Sequence, residues 1–438
     1  MRRSYFRLLE GLLFSLPLLF ASCGNGDNAL EEIINGGGSG GGSSTTENKY
    51  YVWDDTQLKL VATDIPTTGI QEVTTSTTSF DGGFYIVKSD VTIPAPGIEI
   101  KADSKLILCD GAKLTINGYL EDQSAPTTYN LFIYGQEKQT GKLIIDATDS
   151  HGLWAKDIEI HGGDINITTT AVGMATSGIK TYGDLSIFGG KVVTYGGNAD
   201  ADATVPFGGG LGIFCGEPGQ AGNLTIKGDA VVKAYGGAAD AAEPGGNGIW
   251  VNGTPGNKGE IEISGNAEVY AEAGIGNGSG VIHAENNISL SAKKVEALGG
   301  SGDNGIESRL GGITISAGEV KVTAGTSGIG LKNFTADGDI SITGGTVEIG
   351  GKSVAIESLH DLIITTDITS LKLTNDGITT NKLDQWICAS HDVKLGSSTI
   401  GNAVWGDSSN TLADGSNTTK GGIKITRNDK SLTLVKSE

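Results

Sequence analysis

The 438-residue chain holds 70 Gly and 9 Pro, yet glycine does not recur at every third position, which excludes a collagen triple helix. Hydrophobic residues at 37% and charged residues at 19%, with mean hydropathy near zero, fit a chain that packs a core in water and exclude both a polytopic membrane protein and wholesale disorder. Thirty-one Lys and Arg against 51 Asp and Glu leave a net charge of −20, which excludes a nucleic-acid backbone as partner because that affinity rests on clustered cations.

At the N-terminus, Arg2, Arg3 and Arg7 precede an apolar stretch from Leu12 to Phe20 that is too short to span a bilayer as a helix. The following Phe20-Ala21-Ser22-Cys23 resembles the lipobox of bacterial lipoproteins. That resemblance implies a signal peptide over 1–22 and an acylated Cys23 as the mature N-terminus, hence a cell-envelope, outer-membrane lipoprotein that meets the membrane through its anchor alone. Without residues 1–22 the chain keeps 28 basic and 50 acidic residues, a net −22. Residues 23–48 include Gly36-Gly37-Gly38-Ser39-Gly40-Gly41-Gly42-Ser43-Ser44, a tether without the apolar surface to order itself. Its reach, on the order of 30 Å, holds a folded body clear of the bilayer.

Residues 49–90 read as an N-terminal cap, and the body that follows is repetitive. Gly178-Ile179 leads to Leu185-Ser186-Ile187 and Val192-Val193. The same phrase returns as Gly248-Ile249 with Ile261-Glu262-Ile263 and Val269, as Gly305-Ile306 with Ile313-Thr314-Ile315 and Val320-Lys321-Val322, and as Gly328-Ile329 with Ile340-Ser341-Ile342 and Val347-Glu348-Ile349. Weaker copies start near Gly152-Leu153, Gly212-Ile213, Gly280-Val281 and Ala355-Ile356, so successive copies lie 23 to 36 residues apart. Within each copy three short runs place apolar residues at i and i+2, the strand period, between Gly-Gly, Asn-Gly or Gly-Asp corners. Units too thin to bury their own apolar face must stack. The expected fold is all-β: a right-handed single-stranded parallel β-helix over 91–369, with a C-terminal cap over 370–438. Ile187, Ile226, Ile263, Ile315 and Ile342 are then expected in one internal stack. Asn247 and Asn304 are expected as left-handed corner residues.

Phrases such as Gly178-Ile179-Lys180, Gly183-Asp184-Leu185-Ser186-Ile187 and Asp337-Gly338-Asp339-Ile340-Ser341-Ile342-Thr343-Gly344-Gly345 resemble the repeats of exported bacterial carbohydrate-binding β-helix proteins with a pectate-lyase-like fold, across about 91–365. The resemblance implies binding of neutral or acidic polysaccharide, often with calcium, and no established catalysis.

Chemistry-bearing residues are sparse. Cys109, Cys215 and Cys388 are too scattered for a disulfide framework, and Cys215, two residues after Ile213, is expected to point inward as a small hydrophobe. The histidines His151, His161, His283, His360 and His391 show no short metal-ligand spacing. A lyase needs a strong base beside acidic ligands, and a hydrolase needs paired carboxylates. The repeats hold one arginine, Arg309, and no Asp-Asp pair, while His151-Gly152 lacks the companion motifs of a polygalacturonase. No residue is assigned a catalytic role, and no cofactor is required.

The residue after each Gly-Ile step must point outward when Ile points inward. Copy by copy these are Trp154, Lys180, Phe214, Trp250, Ile282, Glu307, Gly330 and Glu357. Trp154, Lys180, Phe214 and Trp250 form the expected ligand-binding strip, on whose rings a pyranose can stack its C–H face. The bland alternative is that the insertions 196–212 and 236–248 fold over the strip as a satellite core. Those insertions carry Asp200, Asp202, Asp240 and Glu243, and the third acidic loop carries Asp303, a set of oxygens suited to calcium. The first functional expectation is a non-catalytic polysaccharide binder, in which Lys180 favours a uronate-containing chain and calcium held by the acidic loops bridges the two acidic partners. The alternatives are an adhesin or stalk without glycan specificity, and a polysaccharide lyase or hydrolase.

Overall fold

The computed structural model describes residues 48–437 apart from 125–126, 171–174, 200–207, 218–219, 240–242, 255–256, 258, 277–279, 301, 303, 376–384, 400–402, 407–416 and 429–430. Cys23 and the tether lie outside the described residues. Every described element is a strand, and nearly all pair in parallel with the equivalent strand one coil away. The protein is a parallel β-helix.

Each coil contributes strands to three faces. On the first, Leu153–Ala155, Ile179–Thr181, Ile213–Cys215 and Ile249–Val251 pair in turn. On the second, Ile158–Ile160, Leu185–Ile187 and Leu224–Ile226 pair, and continue into the first half of Ile261–Glu272. On the third, Asp164–Thr170, Lys191–Tyr195 and Val231–Tyr235 pair, and continue into its second half. The period-two pattern explains these strands: three-residue segments such as Leu185-Ser186-Ile187 bury their first and third side chains and show the middle one to solvent.

The expected isoleucine stack is present. Ile187 pairs with Ile226, Ile226 with Ile263, Ile263 with Leu290, Leu290 with Ile315 and Ile315 with Ile342. All six are buried, each worth about 1.5–3 kcal/mol relative to exposure. Cys215 is also fully buried, as expected. Its equivalents in other coils include Thr181, Ser308 and Ser358, whose inward hydroxyls donate to the backbone carbonyls of Gly183 at 2.8 Å, Asn286 at 2.6 Å and Asp361 at 3.1 Å. A buried polar stripe is thereby satisfied within the core.

Two kinds of glycine shape the coil. Between the second and third faces, Gly190 at φ +76° and Gly345 at φ +81° occupy the left-handed region, which a side chain would strain. The glycine of the Gly-Ile step serves close packing: a Cβ at Gly178 would lie 1.9 Å from Thr194 Oγ1. Asn247 and Asn304 are not among the positive-φ residues, which corrects that expectation. Asn247 donates from Nδ2 to the Gly280 carbonyl, and Asn304 Oδ1 accepts from the Ile329 N–H at 3.0 Å, so both tie neighbouring coils together.

Parallel pairing extends beyond 91–369, from Ile70–Glu72 beside Gly83–Val87 to Val393–Leu395 beside Leu362–Ile364. At the far end it gives way to antiparallel partners: Ala403–Gly406 pairs with Gln385–Ala389, and Ser431–Lys436 with Ile368–Asn375. These occupy edges that would otherwise invite another chain. Near the start, an antiparallel hairpin of Lys49–Asp54 and Lys59–Asp64 lies on the outside of the second face. There Tyr50 packs with Ile86, Ile107 and Tyr134 in a small second core.

Candidate functional site

The first face carries an unbroken outward row. Register places Glu121, Trp154, Lys180, Phe214, Trp250, His283, Glu307, Lys332 and Glu357 side by side on successive coils, about 4.8 Å apart. All four expected strip residues are adjacent. Ile282 and Gly330 are not in the row. Ile282 is buried and pairs with Ile249, and Leu331 pairs with Ile306, so His283 and Lys332 take the outward places. The expectation slipped because the structural Gly-Ile equivalents in these coils are Val281-Ile282 and Gly330-Leu331, one and two residues beyond the phrases that the sequence suggests.

Trp154, Phe214 and Trp250 are each half-buried. Phe214 and Trp250 meet edge to face at 6.3 Å, with 70° between their planes. Lys180 lies between the rings, its Nζ 4.4 Å from the Trp154 centroid and 5.7 Å from that of Phe214. Its side chain is 12% exposed and its Nζ is 2.5 Å from Glu217 Oε1. Lys180 is thus an already neutralised, aromatic-sandwiched cation.

Around it sit groups that alternation alone did not single out. The Ser177 N–H donates to His151 Nδ1 at 2.9 Å, and Lys180 Nζ is 3.3 Å from His151 Nε2. Burial first, then the Lys180 charge, pushes the His151 pKa down to about 3, so the ring is neutral at physiological pH. With Nδ1 accepting, the remaining proton belongs on Nε2, and two donors face one another. An acceptor oxygen would relieve that contact. Glu121 is buried and accepts from Ser150 Oγ at 2.7 Å. Burial raises its pKa to about 7, against the opposing effects of Ser150 and Lys180.

Further along, His283 Nδ1 is 2.6 Å from Glu307 Oε1, and Asn304 Nδ2 donates to Glu307 Oε2 at 2.7 Å. Burial disfavours a charged His283, but Glu285 and Glu307 outweigh it and the pKa is raised. The His283 Nε2 lies 3.9 Å from Glu285 Oε2, beyond hydrogen-bond distance. Among the described residues it is one of three buried donors of this face without a hydrogen-bond partner, together with the indole Nε1 atoms of Trp154 and Trp250. Orphaned buried donors are uncommon and costly.

The acidic set fares differently. Asp200, Asp202, Asp240 and Asp303 lie outside the described residues, and Glu243 is described as half-buried. Among the described residues, Cys109, Cys215 and Cys388 are free.

Comparison of the chain with protein-family models, with curated proteins and with solved structures returned no match.

Proposed function

We propose that this chain is a non-catalytic polysaccharide-binding protein whose ligand lies along the outward row of the first face. The supporting observation is a row of three half-buried rings in register, in which Trp154 Nε1 and Trp250 Nε1 have no hydrogen-bond partner among the described residues. A polysaccharide offers C–H faces to the aromatic surface, and its hydroxyl and ring oxygens reach the buried indole donors only where those side chains turn outward to meet them. The coil spacing of about 4.8 Å repeats on the scale of a sugar unit.

The charge pattern refines the ligand. Lys180 is paired with Glu217, and Lys332 lies 3.8 Å from Glu357, so neither is a free cation for a uronate. The row therefore favours a neutral chain, and an acidic chain binds only when calcium or another divalent ion bridges the carboxylates. Acylation of Cys23 would place this binding surface at the outer membrane.

The test is a glycan array probed with the purified protein, with and without chelator, alongside an assay for cleaved products. Binding of neutral glycans that survives chelation and yields no products fits this reading. Absence of binding to any glycan would favour an adhesin or stalk, and product release would favour a lyase or hydrolase.

A further inference from the structure

On a different part of the solenoid, the turns leading from the first face into the second carry a ladder of imidazoles and carboxylates. Asp339 immediately precedes Ile340–Ile342, Asp361 precedes Leu362–Ile364, and Asp392 precedes Val393–Leu395. Because these strands pair in register, the three aspartates repeat one corner position on successive coils. His360 and His391 repeat the position before it. Each histidine reaches back one coil: His360 Nδ1 is 2.5 Å from Asp339 Oδ1, and His391 Nδ1 bonds to Asp361 Oδ1. The two rings are stacked, with 5.1 Å between centroids and 2° between planes.

We propose that His360 and His391 form a binding site for a borderline divalent transition-metal ion, Zn²⁺, Cu²⁺ or Ni²⁺. A carboxylate on Nδ1 fixes the neutral ring in the tautomer that leaves the Nε2 lone pair free, the arrangement in which proteins prepare histidine as a ligand. Here that preparation occurs twice, on adjacent coils. One ligand atom each from His360, Asp361 and His391 lies within 4.8 Å of the others. The side chains of His360 and His391 are 36% and 60% exposed; because the rings lie parallel their in-plane lone pairs do not converge, and the more exposed His391 ring must swing out of the stack, pivoting on its Asp361 bond, for both nitrogens to reach one ion at about 2.1 Å. Asp361 is 5% exposed, and its second oxygen is held by Lys394. It therefore serves as the orienting carboxylate rather than a ligand. The remaining coordination positions open to solvent, and imidazole donors select the borderline metals over calcium or magnesium.

The site is independent of the polysaccharide row. Isothermal titration of the full chain, free of any histidine tag, with Zn²⁺ should give one ion per chain. Either His360→Gln or His391→Gln should weaken binding at least tenfold, and Asp339→Asn about tenfold, with unchanged circular dichroism. Electron paramagnetic resonance of the unaltered protein with one equivalent of Cu²⁺ should show coupling to two imidazole nitrogens, a readout that needs no variant to fold. Zn²⁺ affinity unchanged in a variant carrying both His360→Gln and His391→Gln, or a Cu²⁺ spectrum with fewer than two nitrogens, would overturn the proposal and leave the ladder as a clasp between the last coils.

Discussion

Outward aromatics line all three faces of this solenoid, the third through Tyr195 and Tyr235 stacked at 4.6 Å, and the rows on the first two are finished in opposite ways. On the second face, Tyr134, His161 and Phe188 stack at 4.8 and 5.2 Å, and the N-terminal hairpin covers them. Tyr50 meets Tyr134 at 4.7 Å, Trp53 stacks on Phe188 at 5.3 Å, and the Trp53 N–H donates to His161 Nδ1 at 3.0 Å. The Trp53 indole itself donates to Asp55 Oδ1 at 2.8 Å. On the first face, Trp154, Phe214 and Trp250 have no described strand over them, and the two indole N–H groups find no acceptor among the described residues. Aromatic residues in register thus do not identify a binding surface. What separates the rows is whether the described residues satisfy the polar edges, and the proposed function rests on that difference, with stability carried by the covered row and recognition by the other.

The first two tests set the stability scale for that comparison. Val320 is buried on the third face against Val295 and Val347, in the core that runs the length of the solenoid. Val320→Asp places an unpaired charge between coils and should cost more than about 4 kcal/mol, read as a large fall in Tm or as failure to fold. Loss of less than about 1 kcal/mol would mean the stack is not the main source of stability. Tyr134→Ala removes the end of the covered row that meets Tyr50 and should cost about 3 kcal/mol, by analogy with other buried aromatic truncations, with little effect on glycan binding. Lost binding at unchanged stability would reverse the roles assigned to the two faces.

Much of this was legible because strand alternation is a local signal. Leu185-Ser186-Ile187 declares its inward and outward sides in three residues, so the fold, the isoleucine stack and the order Trp154, Lys180, Phe214, Trp250 could be read directly. Register was harder, because an offset of one or two residues in the 280 and 330 coils displaces the outward residue and concealed His283 and Lys332. The hairpin was not legible at all. Its contact between Trp53 and His161 spans 108 residues, and nothing in Tyr50-Tyr51-Val52-Trp53 names the coils it will cover. The histidine ladder escaped for a related reason. Metal spacing is sought over a few residues, whereas a solenoid sets partners one coil apart, 21 residues for His360 with Asp339 and 30 for His391 with Asp361.

The open row should respond in the opposite sense to the covered one. Trp154→Ala combined with Trp250→Ala removes two half-buried rings and two unpaired donors. Polysaccharide affinity should fall by about ten- to a hundredfold, at roughly 1 kcal/mol per ring, while stability changes by about 1 kcal/mol or less, since each lost contact is offset by removal of an unsatisfied N–H. A fall in Tm comparable with that of Tyr134→Ala would show that these rings are core under the loops and not a platform.

The smallest expected effect distinguishes the rows by titration, and Glu121 supplies it. Its folded pKa is raised from 4.5 to about 7 by burial, so between those values the native state holds a proton that the unfolded chain has released. Stability from this group is therefore fully present below the unfolded pKa and declines as pH rises through the window up to about 7. The shift sets an upper bound of about 3 kcal/mol. Relaxation around Ser150 and Lys180 should bring the observed slope nearer about 1 kcal/mol. Glu121→Gln removes the titrating group while keeping its size and an acceptor for Ser150. Denaturant unfolding of both proteins between pH 4.5 and 8 should give curves that diverge as pH rises, with the variant the more stable at the alkaline end. Parallel curves would mean that Glu121 is ionised throughout and that Lys180 is shared between it and Glu217. The open row would then be closer to electrostatic balance than its burial suggests, and its preference for a neutral ligand would weaken accordingly.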